Sequence, residues 1–220
     1  MKLTTNTNVS VDGVMQGLGG PEEDPTGGFA RGGWAMPFFD GETEALISQV
    51  YRRADVFLFG RRTYETFAGS WGAIEDMKTH PIGEALNSRP KYVASTTLTD
   101  PQWAGTTVLS RDLVAAVGKL KAKPGGELQV VGSLSVARLL LDHGLVDELT
   151  LLTFPVVVGQ GRRLFPDAGR DTALALVESR ATANGVIFQV YRTAGRPQYG
   201  GGNRSHEARE EIATASRGSA

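Results

Sequence analysis

Apolar and polar positions alternate loosely from Leu3 to Val11, in a run rich in Thr and Val, and Ser10-Val11-Asp12-Gly13 closes it with turn residues. That pattern predicts a first strand. Asp55–Gly60 (Asp-Val-Phe-Leu-Phe-Gly) and Glu127–Val131 are short, nearly continuous apolar runs, as expected of strands covered on both faces. Between them the spacing turns helical. Ala45, Leu46, Gln49 and Val50 share one face over Glu42–Arg53, with Arg52 and Arg53 in the last turn, where the helix dipole favours cations. Leu113, Val114, Val117 and Leu120 do the same over Arg111–Lys121. Further helices are predicted from Gly60 onward, over His80–Ser88 and over Leu134–His143, with Gly144 as the last one's C-cap. Strands are predicted at Lys91–Ser95 and Glu148–Val158. Leu174–Thr182 and Val186–Arg192 flank Ala183-Asn184-Gly185, and Asn-Gly between β-rich runs signals a hairpin.

Strands that alternate with helices imply parallel pairs joined by right-handed crossovers. The final hairpin adds antiparallel edges, so the expected class is α/β, with a mixed, mostly parallel sheet and helices on both faces. One domain is expected over residues 1–195. Residues 196–220, rich in Gly, Ser and charge, are expected to form a mobile tail. Gly17–Asp40 is too glycine-rich for regular structure, yet it carries Phe29, Trp34, Met36, Phe38 and Phe39. A loop that long with so many large apolar groups is expected to pack over something.

Composition narrows the chemistry mainly by exclusion. The chain has 220 residues, no cysteine and three histidines far apart, His80, His143 and His206. Disulfides, thiolate sites and a Cys nucleophile are excluded, and no metal site is expected. The net charge of −1 comes with no basic stripe, so no nucleic-acid partner is expected. No apolar run is long enough for a bilayer and the N-terminus has no signal-like apolar segment, so a cytoplasmic location without membrane contact is expected.

Two strand-to-helix junctions carry the candidate chemistry: Gly60-Arg61-Arg62-Thr63 and Val131-Gly132-Ser133. A helix N-terminus offers unpaired N–H groups and partial positive charge, and a bare residue lets a phosphate come close. Arg61 and Arg62 work against the helix dipole there, and a bound anion would offset that cost. Both junctions are expected at the carboxyl ends of parallel strands, where ligands bind, so two phosphate-type sites on one edge suggest a dinucleotide. A plain glycine turn at either junction is the competing reading. Neither is a G-x-G-x-x-G fingerprint or a Walker A loop.

Taken together, the motifs resemble the dihydrofolate reductase-like superfamily, and within it the reductase domain of riboflavin biosynthesis and its stand-alone relatives. The resemblance covers about residues 1–193. It rests on Ser10–Gly13, Gly60–Glu65, Ser95-Thr96-Thr97, Val131-Gly132-Ser133, Val146–Leu149 and Pro155–Gly161 with Leu164-Phe165, in that order. It implies a three-layer fold and an NADPH-dependent reductase acting on a small heterocyclic or ribosyl substrate. Arg61, Arg62 and Thr63, with Gly60, would hold the 2′-phosphate and pyrophosphate region, and Ser95 and Thr96 the adenosine end. Gly132, Ser133, Leu134 and Val136 would hold the pyrophosphate and the nicotinamide side. The zinc-binding deaminase that accompanies the bifunctional riboflavin enzyme is expected to be missing, since the chain has no cysteine.

Other positions stay open. Glu44 falls where folate reductases keep an acid on the first helix, with Asp40 and Glu42 competing for that role. Equally, Glu44 is an ordinary first-turn glutamate. Asp12 is either a turn former or a substrate-side catalytic residue. Trp34 and Phe38 either wall a flat substrate ring or plug the core. Gly159 and Gly161, beside Arg162 and Arg163, either shape a substrate pocket or make a turn. Genuine dihydrofolate reduction and a non-catalytic nucleotide-binding regulator remain the rival functions. A homodimer is expected, with the apolar strand Leu149–Val158 as a possible interface element.

Overall fold

The computed structural model describes residues 1–200. Eight strands form one sheet: β1 (Lys2–Ser10), β2 (Ala54–Gly60), β3 (Lys91–Ala94), β4 (Thr106–Leu109), β5 (Glu127–Val131), β6 (Glu148–Phe154), β7 (Leu174–Ala181) and β8 (Ile187–Thr193), in the order β4-β3-β2-β5-β1-β6-β8-β7. All pairs from β4 to β6 are parallel, while β8 runs antiparallel to β6 and β7 antiparallel to β8. Six α-helices are found among the described residues, α1 (Gly41–Arg53), α2 (Arg61–Gly69), α3 (Glu75–Thr79), α4 (Pro81–Ser88), α5 (Leu113–Lys121) and α6 (Leu134–Asp142), and the long loop holds two short 3-10 turns at Thr26–Gly28 and Met36–Phe38.

The side-chain period of two divides the core into two layers. On one face Phe57, Phe59, Val93, Leu152 and Phe154 pack with Leu46, Val50 and Tyr51 of α1 and Ala85 and Leu86 of α4. On the other, Leu3, Leu58, Leu128, Val130, Leu149 and Leu151 pack with Val117 and Leu120 of α5 and Val136, Ala137 and Leu140 of α6. Full burial of each such side chain contributes about 1.5–3 kcal/mol. The three-layer, mostly parallel α/β arrangement matches the expectation from the sequence.

The differences have local causes. β6 stops at Phe154, not Val158, because Pro155 has no N–H for the ladder and the Val156 N–H turns back to the Phe154 carbonyl at 2.7 Å. β4 and α3 are additions. Each is only four or five residues long, and neither carries enough apolar periodicity to be recognised in the sequence. β6 is paired on both edges and buried, so of the expected interface run Leu149–Val158 only the part after Phe154 is open to a second copy, with Val157 exposed. At the hairpin tip Gly185 takes φ +81°, and Thr182 pairs with Val186 across a three-residue loop. Of the expected tail, Arg196 and Tyr199 both bind the Asp171 carboxylate, at 2.8 and 3.0 Å, and residues 201–220 lie outside the described residues. No described helix is long and apolar enough to cross a membrane.

β1 is unusual for the centre of a parallel sheet. Thr4, Thr5, Asn6 and Thr7 are all buried there, where apolar residues are the rule. Asn6 and Asn8 fall on the α1 side of the sheet, and both reach a cavity.

Candidate functional site

β2 and β5 are neighbours, so the junctions that follow them lie side by side at the carboxyl edge of the sheet. They are also tied together. The Gly60 N–H donates to Ser133 Oγ at 2.8 Å, and the Ser133 hydroxyl donates to the Val131 carbonyl at 2.9 Å. Gly132 and Ser133 are consecutive left-handed residues, with φ of +53° and +54°. Such a pair costs free energy unless the surroundings hold it, and the Ser133 side chain provides that hold. A Cβ on Gly60 would sit 3.3 Å from Val136 Cγ2, and one on Gly132 would sit 3.5 Å from Thr63 Cγ2. At Gly60 a side chain would crowd Val136, and at Gly132 the positive φ, not lack of space, favours glycine. Neither α2 nor α6 has a side-chain cap. The first-turn N–H groups at both helix starts are therefore left for water or a ligand.

A cavity of about 530 Å³ opens along this edge. Gly60–Thr63 and Gly132–Val136 line it together with Asn6, Asn8 and Tyr51, and the Asn6 carbonyl accepts from the Gly132 N–H at 3.1 Å. Across it runs a strap from the long loop, with Gln16–Leu18, Glu23 and Asp24 on the wall, and Arg162 joins them. The junctions carry Arg61, paired with Glu65 at 2.7 Å, and Arg62, paired with Asp24 at 3.2 Å. The remaining wall offers neutral groups. Asn8 Oδ1 is buried with no partner among the described residues, and burial pushes the Tyr51 phenol well above its usual range, keeping it protonated. On the strap, desolvation raises the Glu23 carboxyl above its ordinary value although its side chain is exposed, against a hydrogen bond from the Gly19 N–H and with the Asp24 charge adding to the rise. No group of three or more His, Asp or Glu able to hold a metal occurs among the described residues.

The family model of the RibD C-terminal domain matches residues 1–188. The chain belongs to the RibD C-terminal domain family. Uncharacterized protein YyaP of Bacillus subtilis (strain 168) is 27% identical over 195 residues, spanning 88% of this chain and 96% of that protein. Uncharacterized protein YwjB of the same organism is 24% identical, spanning 70% of this chain and 83% of YwjB. Among solved structures, a protein from Shewanella sp. PV-4 named for riboflavin biosynthesis superposes with a TM-score of 0.66 at 18% identity, covering 88% of this chain and 99% of its own. A pyrimidine reductase-like protein from Corynebacterium diphtheriae superposes with a TM-score of 0.57 at 18% identity, covering 88% and 92%. These two likenesses establish the fold.

Within this RibD-type domain the structure brings together Gly60, Arg61, Arg62, Thr63, Gly132, Ser133, Leu134 and Val136 on one cavity wall. Ser95 and Thr96 follow Ala94, which lines the cavity, but do not line it themselves. Ser95 Oγ instead accepts from the Thr97 and Leu98 N–H groups, and Arg61 reaches this turn through Thr97 Oγ1.

The substrate-side candidates lie elsewhere. Asp12 joins two loops: its carboxylate accepts from the Ser10 hydroxyl at 2.7 Å and from the Val158 and Gly159 N–H groups at 2.9 Å each. Burial would raise its pKa, but these bonds outweigh that and bring it down to about 2. Glu44 is exposed and paired with His80 Nε2, Asp40 is the α1 N-cap, and Glu42 accepts from the Ala183 N–H. Trp34 packs edge-on against Phe154 at 5.8 Å and donates to the Gln16 carbonyl, and Phe38 packs on the same ring at 6.3 Å. Gly159 and Gly161 make the turn that Asp12 holds, with φ of +71° and +101°, and Gly161 lies against Phe29. None of these lines the cavity. Asn6, Asn8, Tyr51, Glu23 and Asp24 do, and sequence reasoning passed over them. The signal for the asparagines was present: Thr-Asn-Thr-Asn places both amides on one face of a strand whose position calls for apolar residues.

Proposed function

We propose that the protein is an NADPH-dependent reductase that delivers a hydride to a C=N or C=O carbon of a small heterocyclic or ribosyl substrate, in the manner of the riboflavin-biosynthesis reductase domain. The observation that carries this reading is the single cavity onto which two uncapped, side-chain-free junctions and three arginines converge. Left-handed Gly132 and the uncapped starts of α2 and α6 leave backbone N–H groups facing the cavity wall, which fits a pyrophosphate. The junction N–H groups and Arg62 would hold the phosphates, and Leu134 and Val136 would lie along the nicotinamide side. When bound, NADPH supplies the hydride.

The chain's own residues supply the rest. Asn6, Asn8 and the protonated Tyr51 hydroxyl offer hydrogen bonds to uncharged polar groups of the substrate. Glu23, on the strap that lines the cavity, is the proposed source of the proton that completes the reduction. The folate alternative loses support, because it needs an acid on α1 facing the cavity, and Glu44 instead pairs with His80 on the surface. A fluorescence titration tests the reading. Wild-type protein should bind NADPH at micromolar concentration and NADH more weakly, and Arg62→Ala should weaken NADPH by about tenfold, the scale of one lost charge-assisted phosphate contact. Absence of binding by both nucleotides would overturn it.

A further inference from the structure

Arg62 opens α2 and Arg162 lies about a hundred residues further on, in the turn that Asp12 holds. The fold brings both onto one point. Arg62 Nη1 donates to both Asp24 oxygens at 3.2 Å, Arg162 Nη2 donates to Asp24 Oδ2, and all three residues line the cavity. Asp24 therefore holds the place of an anion between two guanidinium groups. It is the less exposed member of the set, with 11% of its side-chain surface accessible against 55% for Arg62 and 48% for Arg162. The strap that carries it is tied to the same spot. Gln16 Nε2 donates to the Asp24 and Thr26 carbonyls, while Gln16 Oε1 accepts from the Arg162 N–H.

We propose that Arg62 and Arg162 form a clamp for a phosphate group of the ligand, and that Asp24 is its built-in competitor, an internal carboxylate that must leave when the phosphate enters. The inference rests on the cavity being the ligand site of the proposed reductase, and it goes beyond that reading by assigning Arg162 and Asp24. Three physical points support it. Two guanidinium forks on one site suit a tetrahedral, doubly charged group better than a single carboxylate, since each fork can engage its own pair of oxygens. The arginines are half exposed, and ion pairs at such positions are individually weak, so the exchange costs little. The carboxylate keeps two cationic groups from facing each other uncompensated, while the Gln16 bonds to the Asp24 and Thr26 carbonyls hold the strap backbone in place when the carboxylate leaves.

The experiment measures dissociation constants for NADPH, NADH and ribose 5-phosphate with wild type, Asp24→Asn, Asp24→Ser and the double variant Arg62→Ala with Asp24→Asn, using thermal unfolding to verify that each is folded. Asp24→Asn keeps the shape and an acceptor for Thr26 but removes the charge. It should tighten the phosphate-bearing ligand that uses the clamp by three- to tenfold, and Asp24→Ser should act in the same direction. The gain should vanish in the Arg62→Ala background, as a double-mutant cycle requires of groups that compete through one partner. Improvement confined to NADPH would identify the 2′-phosphate as the occupant. Improvement shared by NADH would identify the pyrophosphate, and improvement of ribose 5-phosphate alone a substrate phosphate. Unchanged or weakened binding of all three ligands by both Asp24 variants would overturn the competitor role. The outcomes separate the two proposals. Nicotinamide nucleotides that bind but ignore Asp24 leave the reductase reading standing without the competitor. Tighter ribose 5-phosphate binding with no nucleotide binding leaves the clamp standing without the cofactor.

Discussion

The junctions and the strap are built by different means. At the junctions, position follows from backbone: strands β2 and β5 end, left-handed or side-chain-free residues turn the chain, and helices α2 and α6 begin. In the strap and its contacts, position follows from side chains that reach across long stretches of sequence. Asp12 holds the Val158-Gly159 turn, Gln16 holds both the strap and the Arg162 backbone, and Asp24 holds Arg62 and Arg162 together. A site whose geometry is backbone-made tolerates little substitution but needs few partners. A site made by distant polar pairs can exchange them, and that is where a ligand can compete.

Substitutions should separate the two designs. The largest effect is expected on the strap. Glu23→Gln should lower turnover by about a hundredfold, the usual scale for losing a general acid. In wild type the rate should fall as pH rises through the raised Glu23 pKa, because the proton donor must be protonated, and the variant should lack that limb. A pH–rate profile checks both.

At the junctions, Gly132→Val places a β-branched residue at φ +53° with its Cβ against Thr63. It should cost about 1–3 kcal/mol of stability and weaken NADPH more than tenfold, read by denaturant unfolding and titration. A wild-type affinity for NADPH in this variant would show that the junction is a plain turn.

Asp12→Ala should cost about 2–3 kcal/mol, because it leaves the Val158 and Gly159 N–H groups without their charged acceptor. The sign of the pH dependence follows from the depressed pKa. The contribution is complete above about pH 4, where the unfolded carboxyl is ionised, and is lost as pH falls toward about 2. Wild type should therefore lose stability in that window more steeply than Asp12→Ala. The smallest effect is expected at Glu44, where Glu44→Gln should change stability by less than about 0.5 kcal/mol, because the pair with His80 is exposed, and should leave turnover unchanged.

The same division explains what could be read from the sequence. The strand and helix order, the hairpin and the two junctions are local signals: an apolar run, a glycine, then helical spacing. They survive into the structure with shifts of a few residues. Arg61, Arg62 and Gly132 were found because an unfavourable local choice stands out at a helix start. Trp34 and Phe38 carry no local sign of direction, and only the position of Phe154 turns them into core. Asp24 sits in a run of acids within a glycine-rich loop, and nothing nearby in sequence indicates that it meets Arg162. Asn6 and Asn8 were readable in principle. Their polarity becomes anomalous only once β1 is known to lie between β5 and β6 at the centre of the sheet.

The central claim is that the two junctions serve one dinucleotide, and hydrogen exchange of the backbone amides tests it most directly. The N–H groups of Arg61–Thr63 and of Leu134–Val136 should gain protection together as NADPH is added, with the same half-saturating concentration. Protection at one junction alone, or at neither while NADPH binds elsewhere, would contradict the account.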